Sequence, residues 1–131
     1  MVTVSHANDN TDTLFASRAP LLYISALTGK AKALHLWYNS SLNTKSLPFS
    51  INLLDTAYVC YCKAINQISQ LRKTYLFEES KLFLAENQKE TYFNAMQVTL
   101  ELYKAHNQKQ YLNKAFMFGQ ELKEIGRAHV W

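Results

Sequence analysis

The stretch Glu78 to Glu124, EESKLFLAENQKETYFNAMQVTLELYKAHNQKQYLNKAFMFGQELKE, decides the fold. Leu82, Ala85, Tyr92, Ala95, Met96, Thr99, Leu100 and Tyr103 recur near the 3.6-residue helical period, so one long amphipathic helix is predicted. Lys81, Glu86, Lys89, Glu90, Glu101 and Lys104 fall largely outside that stripe, with Glu86 and Glu90 one turn from lysines that can pair with them. Asn107, Gln108 and Lys109 form a polar break so short that the next helix must return antiparallel. Tyr111, Leu112, Ala115, Phe116 and Leu122 then rebuild an apolar face. A helical hairpin is the reading.

Upstream, the same idea recurs. Ile51, Leu54, Tyr58, Tyr61, Ile65 and Ile68 step by three and four residues, a helix of about residues 50 to 75 whose start is marked by Pro48 and Ser50. Its length calls for a neighbour of similar length. Pro20 suits the first turn of an earlier helix, which carries Leu22, Ile24, Leu27, Ala31, Leu34, Trp37 and Tyr38 to about Ser40, with Gly29 a mild weak point. Asn39 to Ser46 is a loop by composition. The result is an all-α chain of two helical hairpins, about four helices. Residues 1–17 are polar and aperiodic, and are expected to be disordered.

Composition narrows the function classes. The chain has 131 residues, 48% hydrophobic and 18% charged, enough for one small packed domain, and only 3 Gly and 2 Pro, which favours long helices. The net charge of +4 comes from basic residues spread singly, without the clustering that nucleic-acid binding requires. No apolar run reaches the ~18–20 residues that span a bilayer, and the opening MVTVSHANDNTDT lacks the basic start and apolar core of a secretory signal. Cys60 and Cys62 sit two apart in a helical pattern and so point about 200° from each other. Neither a mutual disulfide nor a shared metal fits; they read as small core or boundary side chains in a reducing, cytoplasmic compartment.

An internal echo supports two copies of one unit. Leu54-Asp-Thr-Ala57-Tyr58 matches Leu112-Asn-Lys-Ala115-Phe116, 58 positions later (54 to 112). Ala57, Tyr61 and Ala64 have the small, aromatic, small spacing of the second helix of a tetratricopeptide repeat, whereas the later copy keeps Ala115 but places Gly119 and Leu122 where that pattern has an aromatic and an alanine. The repeats are degenerate and longer than the usual ~34 residues. The run Arg72-Lys-Thr-Tyr75, the run Glu78-Glu-Ser-Lys-Leu-Phe-Leu-Ala-Glu-Asn87, then Tyr92, Leu102-Tyr103 and Tyr111-Leu-Asn-Lys-Ala-Phe116 resemble the helical region of CHAT-domain proteins. Pro20-Leu21-Leu22 and Lys30-Ala-Lys-Ala-Leu34 fit the same region, so the resemblance covers about residues 18–123, within a helical repeat region of 18–124. It implies a bacterial, cytoplasmic protein-interaction scaffold, a fragment of a tetratricopeptide-like solenoid that precedes a caspase-like cysteine peptidase domain in the same protein. The implied partner is a protein or peptide held in the repeat groove. That domain's catalytic His and Cys have no counterpart here, so no catalytic, cofactor-binding or metal residue is carried over.

The tail reads differently. The helical pattern stops after Lys123, and Ile125 to Val130 matches the translation of a widely used sequencing adapter, ATC GGA AGA GCA CAC GTC. The next adapter codon, TGA, encodes tryptophan under some genetic codes, and Trp131 stands there. Residues 125–131 are therefore expected to be a non-native tail.

Among candidate chemical groups, His35 and His106 read as structural or surface histidines, the latter at a helix C-terminus where a cation is favoured. Glu78 and Glu79 read as helix-start charges rather than a catalytic carboxylate pair. Two rival readings stay open on sequence. One is a stand-alone four-helix bundle that binds a partner. The other is a small enzyme using Cys60 or Cys62 with a histidine, although a helix-interior thiol lacks the electropositive, partly exposed setting that makes a thiolate.

Overall fold

The computed structural model describes residues 19–41, 47–74 and 78–128, apart from the side chains of 47–49, 78, 79, 82, 83, 85 and 125–128. The expected disorder of 1–17, the loop residues 42–46 and the helix-start role of Glu78 and Glu79 lie outside that description. The chain is all-α: α1 is Pro20–Ser41, α2 Leu47–Thr74, α3 Glu78–Asn87, α4 Lys89–His106 and α5 Lys109–Ala128. α1 and α2 form one hairpin, α4 and α5 the other, and α2 packs along α4.

Local chemistry sets most of the boundaries. Pro20 occupies the first position of α1, where its missing N–H costs nothing, and the Ala19 carbonyl accepts from Tyr23 N at 2.9 Å. α1 ends where the Ser41 hydroxyl bonds back to the Tyr38 carbonyl at 2.8 Å and meets the buried Ser50 hydroxyl at 2.7 Å, tying the first hairpin together at its base. Residues 39–41, expected to open a loop, complete the helix instead. Asn107 closes α4 in the left-handed region (φ 55°, ψ 35°), a conformation asparagine tolerates, and its N–H reaches the Tyr103 carbonyl at 2.7 Å. The hairpin turn is therefore two residues, with Lys109 already helical.

Two sequence expectations are corrected. The single long helix over residues 78–106 is broken at Gln88 (φ −109°, ψ 8°), although no glycine or proline marks the site. There the Gln88 side-chain carbonyl accepts from the Thr91 hydroxyl at 3.1 Å, and the Gln88 backbone carbonyl accepts from Tyr92 N at 3.3 Å, the first turn of α4. At the other end α5 continues to Ala128, past the point where apolar periodicity stops. Backbone hydrogen bonding extends a helix without an apolar face, so the continuation carries no information about the origin of residues 125–131.

The core lies between the hairpins. Leu54, Tyr61, Ile65 and Ile68 of α2 are buried against Tyr92, Ala95, Val98 and Leu102 of α4, with Ile24 and Ala31 of α1, Leu84 of α3 and Phe118 of α5 completing it. Ala57, Tyr61 and Ala64 are all buried, as their spacing predicts. Lys32 Nζ meets Glu90 Oε1 at 2.9 Å and His35 Nε2 meets Glu101 Oε2 at 2.8 Å, so α1 and α4 run parallel. Tyr58 on α2 likewise meets Tyr111 at the start of α5, with ring centroids 5.4 Å apart. Among the described residues α1 and α5 share no substantial interface, so the four long rods form an open array rather than a closed bundle.

Candidate functional site

The outer side of the second hairpin is open. A groove of about 720 Å³ runs between α4 and α5, with Met96 and Leu100 on one wall and Leu112, Ala115, Phe116 and Gly119 on the other, and Asn113, Gln120 and Lys123 at its rim. Leu112 is 38% exposed and Phe116 67%. The sequence reading placed both on a rebuilt apolar face. The structure splits that face: Ala115 and Phe118 turn inward, while Leu112, Phe116 and Met117 look out.

The α5 side of the groove is the repeat image of a surface that is occupied elsewhere in the molecule. Shifted back by the echo distance, Leu112, Asn113, Ala115, Phe116 and Gly119 become Leu54, Asp55, Ala57, Tyr58 and Tyr61 of α2. Those positions receive the second hairpin. Leu54, Ala57 and Tyr61 are buried, Asp55 Oδ1 lies 3.5 Å from His106 Nε2, and Tyr58 packs edge-on against Tyr111. The departure from the repeat pattern at Gly119 has a structural consequence. Where Tyr61 projects into the next hairpin, Gly119 projects nothing, and a Cβ built there would meet only Met96 Sδ at 3.4 Å. The α5 wall of the groove therefore carries no side chain where its counterpart carries an aromatic ring, and Met96 packs over that position.

A second, smaller cavity of about 180 Å³ is polar and lies at the Gln88 break, between α1, α2 and α4. Ser25, Thr28, Lys32, Glu90 and Asn94 line it, and the buried Tyr61 hydroxyl abuts it without forming a hydrogen bond of good geometry. Burial, slightly offset by the nearby Asn94 amide and reinforced by Glu90, pushes the Tyr61 phenol up to about 12. Above it, the Lys32 ammonium holds the exposed Glu90 carboxyl below its usual range. The cavity is of a size that suits ordered water.

The groups considered for catalysis are dispersed. The Glu101 carboxylate only accepts, so the His35 nitrogen facing it at 2.8 Å carries a proton; the His35 ring also stacks with Tyr38 at 6.4 Å. His106, at the end of α4, stacks with Tyr111 at 5.7 Å and faces Asp55. Cys60 is buried and Cys62 half-buried, both free, in line with small core or boundary side chains. Burial pushes both thiols up, more strongly than the nearby lysines and the Tyr58 hydroxyl bond to Cys62 draw them down. That is the direction opposite to nucleophile activation. Among the described residues no group of three His, Cys, Asp or Glu side chains could hold a metal ion, and no helix is long and apolar enough to cross a membrane. Comparison with protein-family models, with curated proteins and with solved structures returns no match.

Proposed function

We propose that this chain is a protein-interaction scaffold, made of two degenerate tetratricopeptide-like hairpins, that docks a helical segment of a partner protein in the α4–α5 groove. One observation carries the reading: the groove repeats, 58 residues on, the surface of α2 that already accepts a helical hairpin within this molecule. Affinity would come from a few exposed aromatic and aliphatic side chains, Phe116 foremost, with Gln120 and Lys123 at the rim supplying polar contacts. The likeness of residues 18–123 to the helical region of CHAT-domain proteins belongs to this proposal, together with a caspase-like domain elsewhere in the same protein, a bacterial source and a cytoplasmic setting. Catalysis is assigned to no residue of this chain; the raised thiols and the dispersal of the histidines support that assignment.

The test is site-specific cross-linking in an extract of the source cells. A benzophenone side chain at position 120, on the groove rim, should give a discrete adduct with one protein, which Phe116→Glu abolishes. The same group at position 70, on the exposed side of α2, should give none. Equal adducts from both positions, or an adduct indifferent to Phe116→Glu, would refute groove docking.

A further inference from the structure

Lysines that stand far apart in the sequence are gathered by the fold around the groove. Lys109 stands seven residues before Phe116 and Lys123 seven after it, so all three share one face of α5, with Lys123 on the groove rim. Lys104 stands four residues beyond Leu100, one turn further along the groove face of α4. Lys104, Lys109 and Lys123 are exposed, and none of them forms an ion pair among the described residues. A fourth, Lys89, stands seven residues before Met96 but already meets Glu86 at 3.0 Å. The acidic side chains of the same hairpin are turned elsewhere: Glu90 meets Lys32, Glu101 meets His35, and Glu121 lies beside Tyr92 and Arg72. The remaining acid, Glu124, stands about 100° round α5 from Lys123. The groove is thus apolar along its length and basic at both ends, Lys104 and Lys109 at the turn and Lys123 at the far end.

We infer that the helical segment seated there is acidic: an amphipathic helix of about three turns whose apolar stripe is bordered by Asp or Glu. The inference rests on the reading of the groove as a docking surface and goes beyond it by fixing the chemistry of the partner. The length of the segment follows from the α5 wall, which runs eleven residues from Leu112 to Lys123, about 16 Å at ~1.5 Å per residue. Apolar anchors at i, i+3, i+4 and i+7 cover that span. Concavity selects a helix over an anionic lipid surface, because the groove of about 720 Å³ lies between two helical walls and a flat surface would leave it unfilled. Exposed ion pairs are weak singly, so the three lysines together set the expected preference for an acidic over a basic helix at about tenfold, ~1.4 kcal/mol.

Fluorescence anisotropy on the full chain tests the inference with two labelled model peptides. Both form an amphipathic helix with leucine at i, i+3, i+4 and i+7; one carries glutamates beside the stripe and the other lysines. The acidic peptide should bind about tenfold more tightly at low salt, and the difference should shrink at high salt. Phe116→Ser changes a side chain two-thirds exposed, so it should keep the wild-type circular dichroism and lose the acidic peptide. Lys104→Glu/Lys109→Glu should reverse the preference. Lys63→Glu/Lys73→Glu, the same change of net charge on exposed residues of α2, should keep it. Equal affinity for the two peptides, with both lost in Phe116→Ser, would overturn the acidic partner and leave groove docking intact. Loss of the preference in both double variants would assign it to net charge alone, and overturn it as well. So would binding of neither peptide, or binding only to vesicles of phosphatidylcholine and phosphatidylserine; cross-linking from position 120 then decides the docking reading separately.

Discussion

Truncating Leu54 and its repeat image Leu112 to alanine gives the most direct thermodynamic comparison of the filled surface with the open one. Leu54 has no exposed surface and Leu112 is 38% exposed. Each truncation removes about three carbon groups, worth ~2.4 kcal/mol at ~0.8 kcal/mol per buried group. At Leu54 a residual cavity adds to that, for a total of about 3–4 kcal/mol. At Leu112 only the covered part of the side chain counts and no closed cavity forms, so the expected loss is about 1.5 kcal/mol or less. With an unfolding entropy of about 0.28 kcal/mol/K for a chain of this length, the midpoint falls by roughly 11–14 °C for Leu54→Ala and by at most about 5 °C for Leu112→Ala. The assay is thermal and urea unfolding by circular dichroism at the lowest workable concentration, where any association through the groove contributes least. Equal losses at the two positions would refute the assignment of the groove as an open counterpart of the filled surface.

Three further outcomes follow from the buried polar groups. Tyr61→Phe removes a hydroxyl that is buried without a well-formed hydrogen bond, so stability should change by less than ~1 kcal/mol or rise slightly; a larger loss on urea titration would mean that water or Asn94 satisfies it. Tyr38, Tyr58, Tyr61 and Tyr92 all have phenols raised by burial, so the unfolded state loses their protons first. Stability is then full below the ordinary phenol value of 10.0 and falls as pH rises through the folded values; Tyr61 alone, at about 12, contributes ~3 kcal/mol, and a flat urea midpoint between pH 9 and about 12 would contradict the assignment. The thiols of Cys60 and Cys62 are likewise raised, so iodoacetamide should modify both at neutral pH more slowly than it modifies an unfolded peptide; fast, single-site alkylation would restore the cysteine-enzyme reading.

How much of this was legible in the sequence depends on how many neighbours a helix has. The stripe on α2 from Ile51 to Ile68 was read correctly, since Leu54, Tyr61, Ile65 and Ile68 are buried and Ile51 and Tyr58 half-buried. On α4 the stripe missed Val98 and Leu102, which are fully buried, and included Leu100, which faces the groove. α4 touches α1, α2 and α5 and so is covered over more than one face, which a search for a single apolar stripe underestimates. On α5 the error ran the other way: Phe118 was left out although buried, and Phe116 was assigned to the packed face although two-thirds exposed. Side-chain chemistry does not tell a residue that is covered from one that awaits cover. The echo at Leu54 and Leu112 did carry that information, because aligned positions with unlike burial mark where the array stops. Nothing in the residues around Gln88 signals the break there, which lacks glycine and proline.

The open order of the helices also supports the repeat scaffold we propose over the self-contained bundle that the sequence left standing. A self-contained four-helix bundle closes on itself, with its first and last helices in contact and every apolar stripe facing a shared axis. Here the second hairpin lies beside the first: α1 is parallel to α4 through Lys32–Glu90 and His35–Glu101, and Tyr58 on α2 meets Tyr111 at the start of α5. Placement side by side, unlike a closure, can be repeated indefinitely, and each repetition leaves one used and one unused face. That accounts for apolar side chains standing exposed at both ends of the array, Leu36 on α1 and Phe116 on α5, while Tyr61, Tyr92, Ala95 and Val98 between the hairpins are buried. In natural solenoids polar capping helices end such a series. Here Leu112, Phe116 and Met117 stand exposed among the polar residues of α5, so covering them with a further helix at the groove, whichever chain supplies it, would bury apolar surface.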